Sequence, residues 1–132
     1  MARRNRRDVI DESKPGLYHV FTRINRRHFL IGRDPVTGAD WSARKGWIRR
    51  RLELLAKIFL IDVHEYAILD NHLHSILRNR PDLVERLTDR EVAWRWLQLN
   101  RGSLLLNGEP SEKRIDEFVR DPKRVLKARQ RL

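Results

Sequence analysis

Apolar residues along this chain recur with two different periods, and the switches between them mark out its elements. From Gly16 to Arg23 the chain reads Gly-Leu-Tyr-His-Val-Phe-Thr-Arg, aromatic and β-branched as a first strand should be. A basic loop or strand end, Asn25-Arg26-Arg27-His28, follows it, and Asp34-Pro35-Val36-Thr37-Gly38 is a turn. The period then becomes helical. Ile48, Leu52, Leu55 and Phe59 share one face, reinforced by Trp47, Leu54 and Ile58, which predicts a helix from Trp41 to Leu60 capped by Asp40. Gly46 weakens its first turns. Val63 to Leu69 and His72 to Arg78 return to strand character, and Asp70-Asn71 between them is a two-residue hairpin turn.

The C-terminal part is helical. Thr88-Asp89-Arg90-Glu91 is a capping box opening a helix to Leu99 with Val92, Trp96 and Leu99 apolar. Ser111 caps a short helix through Val119, and Asp121-Pro122 opens a last, basic helix to Leu132. No glycine or proline terminates that helix, an ending that reads as an interruption. The order strand, helix, strand, strand, helix predicts an α+β, ferredoxin-like antiparallel sheet with helices packed on one face, followed by a C-terminal helical segment. A fourth strand is not visible. Residues 1–14 read as a basic flexible arm and 15–132 as one domain, incomplete at its C-terminus.

Charge narrows the function. Twenty-nine lysines and arginines against 18 acidic residues give a net charge of +11, concentrated in Arg3–Arg7, Arg23–Arg27, Arg44–Arg51 and Lys113–Arg131. Such a field favours a polyanion, and nucleic acid is the commonest one in a cell. The lack of cysteine excludes thiolate metal sites, thiol nucleophiles and disulfides. No apolar run approaches the ~20 residues of a membrane span, and no signal core follows the basic N-terminus, so a cytoplasmic location and no membrane partner are expected.

The candidate chemistry lies in Asn71-His72-Leu73-His74. Strand side chains alternate, so His72 and His74 share a face about 7 Å apart and can converge on one divalent metal. The hairpin turn sets Ala67 opposite His74. By parity Glu65 lies on the histidine face, a candidate third ligand, whereas His64, Tyr66 and Ile68 lie on the other.

Two segments carry a family likeness. Tyr18-His19-Val20 with Thr22-Arg23 and Asn25-Arg26-Arg27 resembles the opening strand of the HUH single-tyrosine transposases, in particular the REP-associated tyrosine transposase branch. His64-Glu65-Tyr66-Ala67-Ile68-Leu69-Asp70-Asn71-His72-Leu73-His74 resembles their hairpin, in which His-Ala-Tyr, an apolar run and Pro-Asn precede His-hydrophobe-His. Asp70 stands where that pattern has proline, and Glu65 where it has a small residue. The likeness spans Gly16 to Arg78. It implies a ferredoxin-like domain, often dimeric, that acts on single-stranded DNA at hairpin ends during DNA transposition and recombination. It further implies that His72 and His74 bind Mg2+ or Mn2+, polarising a scissile phosphate that a tyrosine attacks to form a 5′-phosphotyrosine link.

The family's tyrosine lies on a helix downstream of the histidines, but no tyrosine follows Tyr66 here. Tyr18 reads as a sheet or core residue, and Tyr66 lies on the wrong face. The nucleophile is therefore expected to be missing, through truncation or decay, and this chain alone to be inactive. Charge and position nominate Arg23, Arg26 and Arg27 beside the first strand, and Arg78 and Arg80 along the histidine strand, as DNA contacts. Trp41, Trp47, Trp94 and Trp96 have the spacing of core residues rather than base-stacking platforms. The alternatives to a transposase-like domain are a non-catalytic nucleic-acid-binding module of ferredoxin-like fold and an interaction protein with an acidic partner.

Overall fold

The computed structural model describes residues 8–24, 28–100, 102 and 104–132. Its strands are β1 (Leu17–Arg23), β2 (Ile61–Ile68) and β3 (His72–Asn79); its helices are α1 (Ala43–Phe59), α2 (Pro81–Val84), α3 (Asp89–Leu97), α4 (Glu112–Val119) and α5 (Pro122–Arg129). The protein is α+β: three antiparallel strands in the order β1-β3-β2, with helices. Since β1 and β2 each run antiparallel to β3, they are parallel to each other, and α1 is the crossover between them. This is the split β-α-β half of a ferredoxin-like sheet. After β3 the chain turns helical, and the described residues add no fourth strand.

The chain divides into two compact units where the sequence reads as one domain. The first comprises Met1–Lys57 and Ile61–Asn79, the second Ile58–Leu60 and Arg80–Leu132. In the first, β3 is the middle strand, and its alternation separates two faces. Leu73, Ser75, Leu77 and Asn79 point one way, with Ser75 only 4% exposed. Leu69 N–H donates to the His72 carbonyl, closing the hairpin around Asp70-Asn71. Asp40 does not cap α1. Its carboxylate accepts from Ser42 N–H (2.9 Å) and ordering that turn delays the helix to Ala43. Ile58 is fully buried, but Trp47 is 60% exposed, which removes it from the expected inward face of α1.

The N-terminal segment is more tightly held than its composition implies. Asn79, at the end of β3, accepts from Gly16 N–H (2.6 Å) and donates to the Lys14 carbonyl (3.1 Å). Tyr18 hydroxyl accepts from Asp11 N–H. Residues 8–14 are thus stitched to the strands, and residues 1–7 of the expected arm lie outside the described residues.

The second unit holds the better-packed core. Val92, Ala93 and Leu97 of α3 meet Ile115 and Phe118 of α4 and Val125 and Ala128 of α5, with Trp94 and Trp96 half-buried against them. These three helices each begin on a side-chain cap: the Thr88–Glu91 capping box, Ser111 and Asp121. Arg129 donates to the Val84 and Leu87 carbonyls and to Asp89, tying α5 to the start of the unit.

A histidine cluster on the central strand

The site is built on β3 because a middle strand is held on both edges, which fixes the direction of its side chains. Against β1 the register pairs Arg23 with His72, Phe21 with His74, His19 with Ile76 and Leu17 with Arg78. Against β2 it pairs Ala67 with His74, Glu65 with Ile76 and Asp62 with Arg78. One face therefore carries His72, His74, His19, Phe21, Arg23, Glu65 and Arg78, as alternation on β3 requires. Tyr18 opposes Leu77 and Tyr66 opposes Ser75, so both tyrosines lie on the other face.

Three imidazoles gather there. The His72 and His74 rings meet edge to face with centroids 5.0 Å apart, and His19 stacks on His74 at 5.1 Å. Phe21 stacks near the His74 ring at 6.0 Å. His19 Nε2 and His74 Nδ1 share a hydrogen bond of 2.9 Å, while His72 Nδ1–H donates to the Asn71 carboxamide oxygen at 2.6 Å. His19 is the member of this cluster that the sequence did not nominate. Its place follows from the pairing of β1 beside β3, which puts every second residue from Leu17 to Arg23 on the histidine face.

Electrostatics favour a neutral His74. Its pKa is lowered, first by desolvation and then by the nearby His72, His19 and Arg23. A neutral imidazole, with one nitrogen bare, is the ligand form, and desolvation with the neighbouring basic groups favours it in His74.

The other candidates divide. Arg23 and Arg78 lie on the exposed histidine face. Arg80 does not extend that strand: β3 ends at Asn79, and the Arg80 guanidinium grips Asp82 with bonds of 2.8 and 3.0 Å. Arg26 and Arg27 lie outside the described residues. Glu65 shares the face, but no group of three or more His, Cys, Asp or Glu is placed to hold a metal among the described residues. His64 departs from simple alternation, since a register shift between Val63 and Glu65 makes it the extra residue of a bulge.

Beside His72, a shallow recess of about 370 Å³ is lined by Phe29, Lys45, Leu69, Asp70 and Asn71. Lys45 reaches from α1 to Asp70 at 2.7 Å and so fastens the helix to the hairpin that presents the histidines. No family model, curated protein or solved structure matches the chain.

Proposed function

We propose that this chain is a transposase-like DNA-binding domain of the HUH type, holding Mn2+ or Mg2+ at His72 and His74 against a phosphate of single-stranded DNA. The observation that carries the reading is the pair of imidazoles side by side on the exposed face of the central strand, each engaged by a neighbour through Nδ1. Engagement through Nδ1 suits ligation through Nε2. Two nitrogen donors suit Mn2+ better than Mg2+, whose preferred ligands are oxygens, and they leave coordination positions for water and phosphate. Bound there, the metal supplies Lewis-acid polarisation of a phosphoryl oxygen. Arg23, opposite His72, offers the phosphate a guanidinium, and Arg78 continues the positive face along β3.

The tyrosines limit the chemistry. With Tyr18 and Tyr66 on the opposite face, the described residues put no tyrosine beside the histidines. That favours a second reading, a non-catalytic nucleic-acid-binding module on the same sheet. Both readings expect tight binding of a hairpin-bearing single strand that weakens steeply with salt, its log–log slope about 0.7 per phosphate contacted. The metal-dependent reading alone expects manganese to tighten that binding, without a covalent protein–DNA adduct. Equal binding to an acidic peptide of matched charge would sink both.

A further inference from the structure

We infer that His19 is a positioning residue that fixes the tautomer of His74, accepting a hydrogen bond from His74 Nδ1–H and so leaving Nε2 as the bare, ligating nitrogen. The inference rests on the metal-site reading above and assigns a role on a different strand. A neutral imidazole carries one N–H, and only the nitrogen without it can bind a metal. For His72 the proton's place follows from its partner: the Asn71 carboxamide oxygen 2.6 Å away can only accept, so the N–H is on Nδ1 and Nε2 is bare.

His74 faces a partner that can play either part. One proton lies between its Nδ1 and His19 Nε2, 2.9 Å apart. If His19 donated, a neutral His74 would keep its own proton on Nε2 and be unable to ligate. If His74 donates, both imidazoles of β3 present the same nitrogen, and His19 keeps its proton on Nδ1. Only the second arrangement makes the two histidines a matched pair of ligands. The sheet supplies the geometry. His19 pairs with Ile76, diagonal to His74 and within reach across the strands. Stacking by His19 at an interplanar angle of 20° and by Phe21 at 26° holds the His74 ring plane.

Two substitutions separate hydrogen bonding from stacking. His19→Gln keeps an acceptor at the position of Nε2 but loses the ring; His19→Phe keeps a ring and loses the acceptor. Long-range 1H–15N correlation spectra of the metal-free, 15N-histidine-labelled protein report which nitrogen of His74 bears the proton, and manganese titration reports affinity. The expected result is Nδ1–H in the wild type and in His19→Gln, with affinities within about threefold of each other. In His19→Phe the proton moves to Nε2 and manganese affinity falls about 10- to 100-fold, as for other residues that orient a metal ligand. An Nε2–H tautomer in the wild type, or His19→Phe matching the wild type in proton position, overturns the inference. Failure of every form to bind manganese, with the proton on Nδ1, overturns the metal reading while the hydrogen bond stands, so the two failures are distinguishable.

Discussion

His74 is where the account is most exposed to test at the scale of single residues. Desolvation and the neighbouring His72, His19 and Arg23 all disfavour its protonated form. Its midpoint in an NMR titration of the metal-free protein should therefore lie below the ordinary imidazole value of 6.5. The sign carries over to stability: below that value the unfolded chain takes up a proton that the folded chain resists, so acidification through this window destabilises the fold. A midpoint above the ordinary value would contradict the placement of His74 among these neighbours. Gly32 makes a second residue-scale prediction. A Cβ there would fall 2.5 Å from the Asp70 Cβ, with the adjoining Ile31 N–H already bonded to the Asp70 carbonyl. Gly32→Ala should thus cost about 1–3 kcal/mol in denaturant unfolding, as overpacking does. The shared face of His72 and His74 was legible from strand parity alone. The participation of His19 was not, because it depends on which strand lies beside β3, and local pattern is silent on that.

Elements were read more reliably than their partners. The hairpin register around Asp70-Asn71, with Ala67 opposite His74 and Tyr66 turned away, follows from a two-residue turn and alternation. Alternation failed at His64, where the bulge inserts one residue without a glycine or proline to announce it. Strong caps made α3, α4 and α5 readable, since Thr88, Ser111 and Asp121 each satisfy otherwise unpaired N–H groups. The four-residue α2 escaped notice, being too short to show a period. The packing of these helices yields a stability prediction. Phe118 is 1% exposed at the junction of α3, α4 and α5. Phe118→Ala should cost about 3–5 kcal/mol, read as a lower denaturant midpoint with an unchanged slope. A cost under about 1 kcal/mol would mean the three helices do not share that core.

At the scale of the whole molecule, the unit that carries the histidines and the unit that carries the largest buried cluster are different. Periodicity could not reveal this, because Ile48 and Leu52 of α1 have the same helical spacing as Val92 and Trp96 of α3, yet only the latter join that cluster. The net charge of +11 belongs to the whole chain and supports a polyanionic partner without locating its contact. The proposed location is the strand face with His72, His74, Arg23 and Arg78. No helix among the described residues is long and apolar enough to cross a membrane. The central claim is that His72 and His74 together hold a divalent metal, and manganese titration of the wild type against the His72→Ala, His74→Ala double variant tests it most directly. Binding by the wild type that the double variant loses by at least about 100-fold, with circular dichroism unchanged, is the predicted result. Equal manganese affinity in the two proteins would contradict it.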